Sequence, residues 1–143
     1  MTLGWVFAAF NNEARRETTV KFTRDQNHAL TVRRVDRGSI RIGDEDFEQS
    51  IGLGADGAVY PLSNASLNAA EITEGDLATL LDTTPEIVLI GTGWTAARPP
   101  SELTFAMARR QVGLEVMDTP AACRTFNILV AEGRRVAALV LLN

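Results

Sequence analysis

The chain has 143 residues, 45% of them hydrophobic and 22% charged, a formal net charge of -4 and a pI near 5.0. That is the make-up of an ordinary one-domain globular chain, long enough to bury about two-thirds of its unfolded surface. The acidic balance argues against a nucleic-acid binder, and one cysteine with one histidine excludes an intramolecular disulfide and a structural zinc site of about four such ligands.

Residues 1–19 read as a peripheral N-terminal extension, with a single α/β domain over 20–143. The apolar run Leu3–Phe10 is far short of the roughly 20 residues that span a bilayer. It lacks the basic flank of a signal peptide, and Glu13 and Glu17 do not suit a transit peptide, so a cytoplasmic location is expected. From Val20 the pattern changes. Val20 and Phe22 alternate with polar neighbours, as do Leu30 and Val32, and Asp25-Gln26-Asn27 between them suits a hairpin turn.

Residues 38–62 predict an antiparallel meander. Ile40 and Ile42 point one way, Gly43-Asp44 breaks the run, and Phe47, Ile51 and Leu53 share a face. Ala55-Asp56-Gly57 turns the chain, and Val59–Leu62 returns. Pro61 cannot donate to a ladder and places that strand at an edge or end.

At Thr73 the period becomes helical, with Thr73-Glu-Gly-Asp76 in the form of a capping box before Leu77, Leu80 and Leu81. Ile87-Val-Leu-Ile90 is wholly apolar, which predicts a strand buried on both faces of a parallel sheet. Ser101–Arg110 predicts a helix with Leu103, Phe105 and Met107 inward and Gly113 closing it. A short strand Leu114–Met117 follows. The next helix has Asp118 or Thr119 as its cap, Pro120 in its first turn and Gly133 at its end. Phe126–Ala131 is apolar except at Asn127, so this helix is expected at the centre, covered on more than one side. Val136–Leu142 is the final strand. The last sixty or so residues thus read β-α-β-α-β, with parallel strands and right-handed crossovers. The whole predicts a three-layer domain around a mixed sheet.

Two stretches could carry chemistry. Gly91-Thr-Gly-Trp-Thr-Ala96 matches the G-x-G-x-x-A spelling of a dinucleotide loop after a strand, and Asp118 lies where a ribose-binding acid would sit. Pro99-Pro100 delay the helix to about Ser101, however, so a pyrophosphate would not meet a helix end inside the glycine loop. Two readings stay open: the loop's N–H groups bind a small anion, or the glycines only let the loop turn beneath Trp94. Cys123 lies in the first turns of the Asp118 helix beside Arg124, and both features favour a thiolate. A small core residue is the alternative. Thr119, Cys123 and Asn127 share one helix stripe, which either lines a pocket or bonds neighbouring loops. Loops after successive parallel strands emerge at one edge of the sheet, so Gly91, Thr92, Gly93, Thr119 and Cys123 are expected to border one mouth, with Arg98 or Arg124 as charge partners. Glu132 is expected to pair with Arg134 or Arg135.

Ile90-Gly-Thr-Gly93, Pro99-Pro-Ser-Glu-Leu103, the run Val116–Asn127 and Glu132–Ala138 resemble an uncharacterised α/β family. It includes the mitochondrial respiratory complex I assembly factor 3 and the adipogenesis-associated domain protein. The resemblance runs from about Gly38 to Leu142. It implies a three-layer fold around a mixed sheet and, for some members, a role in assembly or partner binding without an established reaction.

The leading reading is a non-enzymatic binding or assembly-factor-like module with a protein partner. No catalytic residue, metal or cofactor is assigned. The alternative is an enzyme or sensor holding a small anion or nucleotide, with Gly91, Thr92, Gly93, Thr119, Cys123 and Arg124 as the candidate binding residues.

Overall fold

A computed structural model of the chain describes residues 30–64 and 66–143. The expected extension over 1–19, the strand Val20–Thr23 and its turn at Asp25-Gln26-Asn27 lie outside these residues. β1 (Val32–Asp36), β2 (Ser39–Ile42) and β3 (Glu45–Phe47) form a small antiparallel sheet in that order. A second sheet holds β4 (Ile51–Leu53), β5 (Val59–Pro61), β6 (Ile87–Gly91), β7 (Gly113–Met117) and β8 (Val136–Val140), in the order β5-β4-β8-β6-β7. β6 runs parallel to both β7 and β8, while β4 runs antiparallel to β5 and β8.

The expected meander is therefore divided between two sheets. The reason lies in how many faces each strand buries. β2 carries one apolar face, with Ile40 and Ile42 buried and Arg41 turned outward into a pair with Asp46. Such a strand can only cover something else. Ile51, Gly52 and Leu53 are all buried, so β4 belongs inside a sheet that is covered on both faces. Pro61 lies on β5, at the outer edge of that sheet, as its missing N–H requires.

Side chains alternate between the two faces of the large sheet. Leu89, Val136, Ala138 and Val140 pack on one side against Ile40 and Ile42 of the small sheet and against Cys123 and Phe126. Val88, Ile90, Ala137 and Leu139 pack on the other side against Leu77, Leu80, Leu103 and Met107. Three layers result. The first face is covered by α3 (Thr119–Ala131) and the small sheet. The second is covered by α2 (Ser101–Arg109), the short α1 (Ala78–Leu81) and the 3-10 turn Glu74–Leu77 that leads into α1. Thr73 and Asp76 close the expected capping box around the start of that turn.

The ends of the crossover helices follow local chemistry. Asp118 is the cap of α3, accepting the Ala121 N–H at 2.8 Å, and Pro120 lies within the first turn. At the far end the Arg134 N–H reaches the Leu129 carbonyl and the Gly133 N–H the Val130 carbonyl, with Gly133 at a φ of 81°. α2 departs from expectation twice. Phe105 is 62% exposed, and Ala106 takes the inward place beside Leu103 and Met107, the i, i+3, i+4 set of one face. The helix is closed by Gln111 at a φ of 60°, not by Gly113, which already begins β7. The paired bonds from Gln111 to Ala108 and from Val112 to Met107 satisfy the last carbonyls well enough to hold a non-glycine residue in that left-handed turn.

Candidate functional site

The parallel topology brings the loop after β6 and the turn after β7 to one mouth, and there they bond to each other. The Thr119 hydroxyl accepts the Gly93 N–H at 2.9 Å and donates to the Leu141 carbonyl at 2.6 Å. The Thr119 N–H in turn donates to the Gly93 carbonyl at 2.8 Å, and the Thr92 N–H to Met117 at 2.9 Å. The Thr92 hydroxyl lies 3.0 Å from the Thr95 carbonyl and 3.3 Å from that of Met117. One buried hydroxyl thus ties together the β6 loop, the α3 start and the end of β8.

Glycine is required at both ends of this joint. A Cβ on Gly91 would lie 2.9 Å from Thr119 Oγ1 and 3.0 Å from its Cα, so the close approach of α3 to β6 depends on its absence. Gly93 has a φ of 94°, and a Cβ there would collide with the Asn143 carbonyl. Trp94, next in the loop, packs partly buried against the core on the α3 side, with the Arg37 guanidinium 5.5 Å from its ring centroid.

Gly91, Thr92, Gly93 and Thr119 are therefore brought together, and the remaining candidates diverge. Cys123 is 4% exposed within the core, whereas Arg124 is exposed on the other side of the helix. Burial pushes the Cys123 thiol up to about 12, and the nearby Arg124 charge offsets only part of that. The thiolate expected from the helix start and Arg124 is thus corrected: the thiol is raised, because desolvation outweighs the Arg124 charge. Asn127, next along the stripe, accepts the Val32 N–H and donates to the Val32 carbonyl, both at 2.9 Å. Its amide occupies the outer edge of β1 as a neighbouring strand would. Arg98 is exposed beyond Trp94.

The expected pairing of Glu132 with the following arginines is also corrected. Arg134 pairs with Glu86 at 3.2 Å, and the Arg135 guanidinium donates to the carbonyls of Thr83 and Thr84. Glu86 also accepts the Arg135 N–H at 3.0 Å, and that bond, aided by Arg134, holds its carboxyl below the usual range. The cation pair therefore anchors the start of β8 to the chain just before β6.

A different surface was not anticipated from the sequence. Residues 96–99, the outer face of α2 and β7 border an open cleft of about 600 Å³, lined by Arg98, Pro99, Ser101, Thr104, Phe105 and Val116 among others. Phe105 and Val116, at 62% and 37% exposure, are two of the three exposed large hydrophobics among the described residues. β7 is an edge strand of the large sheet, at the end opposite β5. The Gly113 N–H and the Met117 carbonyl bond toward β6, so with strand alternation the backbone groups of Leu114 and Val116 face away from the sheet. The available signal was the phase of α2: placing Leu103, Ala106 and Met107 on the core face puts Phe105 outside.

Among the described residues, no cluster of His, Cys, Asp and Glu could hold a metal ion, and no helix is long and apolar enough to cross a membrane. A family model described as "Protein of unknown function (DUF498/DUF598)" matches residues 32–141. The human NADH dehydrogenase [ubiquinone] 1 alpha subcomplex assembly factor 3 is 42% identical over 73 residues, covering 50% of this chain and 40% of that protein. A "13 kDa major membrane protein" of Francisella tularensis is 37% identical over 70 residues, covering 49% of this chain and 57% of its own. The chain thus matches only about half the length of these curated relatives. A crystal structure from Bordetella parapertussis superposes with a TM-score of 0.72 at 35% identity, over 80% of this chain and 98% of that one. An outer membrane protein from Bartonella henselae superposes with a TM-score of 0.70 at 30% identity, over 80% and 96%.

Proposed function

The chain belongs to this family of proteins of unknown function, and we propose that it is a protein-binding module of the assembly-factor kind. The observation that carries the reading is the pair Phe105 and Val116, both exposed and lining one cleft beside the open β7 edge. Contiguous exposed apolar surface of this kind marks interaction sites. The name of the human relative supports it and suggests the class of partner, a subunit or assembly intermediate of a respiratory NADH dehydrogenase.

Native purification of the tagged chain, with native gels of the respiratory complexes from cells lacking it, tests this reading. The expected results are a stoichiometric protein partner, lost with Phe105→Asp, and loss of the assembled dehydrogenase. An intact dehydrogenase and no specific partner would contradict it. The rival reading, a small anion or nucleotide at Gly91, Thr92 and Gly93 with Thr119, Cys123 and Arg124 nearby, requires the bonds between Gly93 and Thr119 to open. Thermal shifts with inorganic phosphate and nucleotides distinguish the two. Specific stabilisation without a protein partner would favour the rival.

A further inference from the structure

The exposed edges of the two sheets are finished differently. β5 has three residues and ends in Pro61, which cannot donate to an added strand. At β1 the Asn127 amide occupies Val32, the ladder is irregular between Val32 and Arg34, and Arg33 and Arg34 are exposed charges along the rest of the strand. β3 has three residues, with Glu45 and Asp46 exposed and Asp46 paired to Arg41. β7, with five residues like β1, carries no proline and no side-chain cap, and at it Leu114 and Val116 present outward N–H and C=O groups without a partner among the described residues. Proteins ordinarily blunt such an edge.

We propose that β7 receives an extended segment of a partner protein as an added strand, with a lysine or arginine opposite Glu115 and apolar residues on either side of it. This deepens the binding-module reading and rests on it. The pattern follows from alternation. Leu114 and Val116 point toward the α2 side, where the cleft and the Phe105 ring meet the apolar residues of the incoming strand. Glu115 points toward the opposite face and is exposed. An extended segment with basic and apolar residues in turn satisfies both faces at once.

Charge also argues against a second copy of this chain. Two β7 strands pairing antiparallel with full overlap place Leu114 opposite Val116 and Glu115 opposite Glu115. In that non-hydrogen-bonded position side chains are closest, and like charges directly opposed are destabilising. The same carboxylate that excludes self-pairing selects a basic strand, so one residue serves attraction and exclusion together.

The test uses the full chain, labelled with 15N, and two blocked eight-residue peptides of alternating Thr and Val, one with Lys and one with Glu at the central polar position. Titration with the Lys peptide is expected to shift and protect the amides of Leu114 and Val116. The Glu peptide is expected to bind about tenfold more weakly, with the difference shrinking in high salt. Glu115→Lys, an exposed substitution that leaves the fold intact, is expected to invert the preference. Absence of perturbation at β7, or a preference unchanged by E115K, would overturn the proposal. So would protection of Val116 in the free protein that grows with its concentration, because the occupant would then be a second copy. If a native partner is captured and its binding survives E115K, the edge assignment falls while the binding-module reading stands.

Discussion

At the mouth of the parallel sheet, the Thr119 hydroxyl is committed to two backbone partners, and Gly91 and Gly93 are packed against main chain where no Cβ fits. A few residues earlier, β7 leaves the outward groups of Leu114 and Val116 to solvent beside an exposed phenylalanine ring. Both regions belong to the parallel β-α-β-α-β half of the chain. The mouth is where open α/β sheets usually hold ligands, yet in this chain the loops there bond to each other, and the unsatisfied surface lies at the sheet's edge. Similar topology can thus place its free valences at different sites, and the side chains at the loop junction decide which.

The largest effect should come from the sealed region. Phe126→Ala is expected to cost about 3–5 kcal/mol in denaturant unfolding, because the ring is buried against β6 and β8 and the cavity cannot refill. Arg124→Ala, on the exposed side of the same helix, should stay within about 0.5 kcal/mol. Comparable costs for the two would reverse the orientation of α3 on which the comparison rests.

Thr119→Val keeps the shape but removes the hydroxyl, leaving the Gly93 N–H and Leu141 C=O without it. About 1–3 kcal/mol is expected for each buried group left unpaired, and Thr119→Ser should recover most of the loss. If Val and Ser cost the same, the hydroxyl is not what closes the mouth.

A smaller effect appears in alkali. The Cys123 thiol is raised from 9.0 to about 12 in the folded chain. The folded state therefore holds its proton where the unfolded state has lost it. Its contribution is complete below about pH 9 and falls as pH rises toward about 12, by about 1.4 kcal/mol per pH unit at most within that window. Tyr60, raised mainly by burial and then by its bond to Asp56, acts in the same direction. Comparing unfolding profiles of the native chain and Cys123→Ala isolates the thiol: the variant should lose less stability across the window. Parallel profiles would mean that Cys123 is not held protonated in the core.

The smallest effects belong to the open edge. Phe105→Ser and Val116→Thr should each change stability by less than about 0.5 kcal/mol, although both remove apolar surface. A cost of several kcal/mol for either would show that the residue packs into the core and that the edge is not free.

The parallel half was legible in the sequence because its signals are local. Ile87–Ile90 is apolar on both faces, and α3 carries its start and stop signals at Asp118 and Gly133. The division of the antiparallel half was not legible, because Ile40-Arg41-Ile42 and Ile51-Gly52-Leu53 share a period of two, and a glycine at the middle position does not announce that Leu80 covers that face. The resemblance drawn from Val116–Asn127 and Glu132–Ala138 led to the right family. The fate of the Thr119, Cys123 and Asn127 stripe required three dimensions: one hydroxyl joins two loops, one thiol is core, and one amide caps a strand. No one-dimensional pattern distinguishes those roles.

Native-state hydrogen exchange of the free chain, read residue by residue, tests the contrast between sealed mouth and open edge most directly. The Gly93 and Thr119 amides should exchange only through large openings, close to the stability of the core. The Leu114 and Val116 amides should exchange orders of magnitude faster, despite lying in a strand. Fast exchange at Gly93 together with protection at Val116 would contradict the account, because the mouth would then be open and the edge already covered.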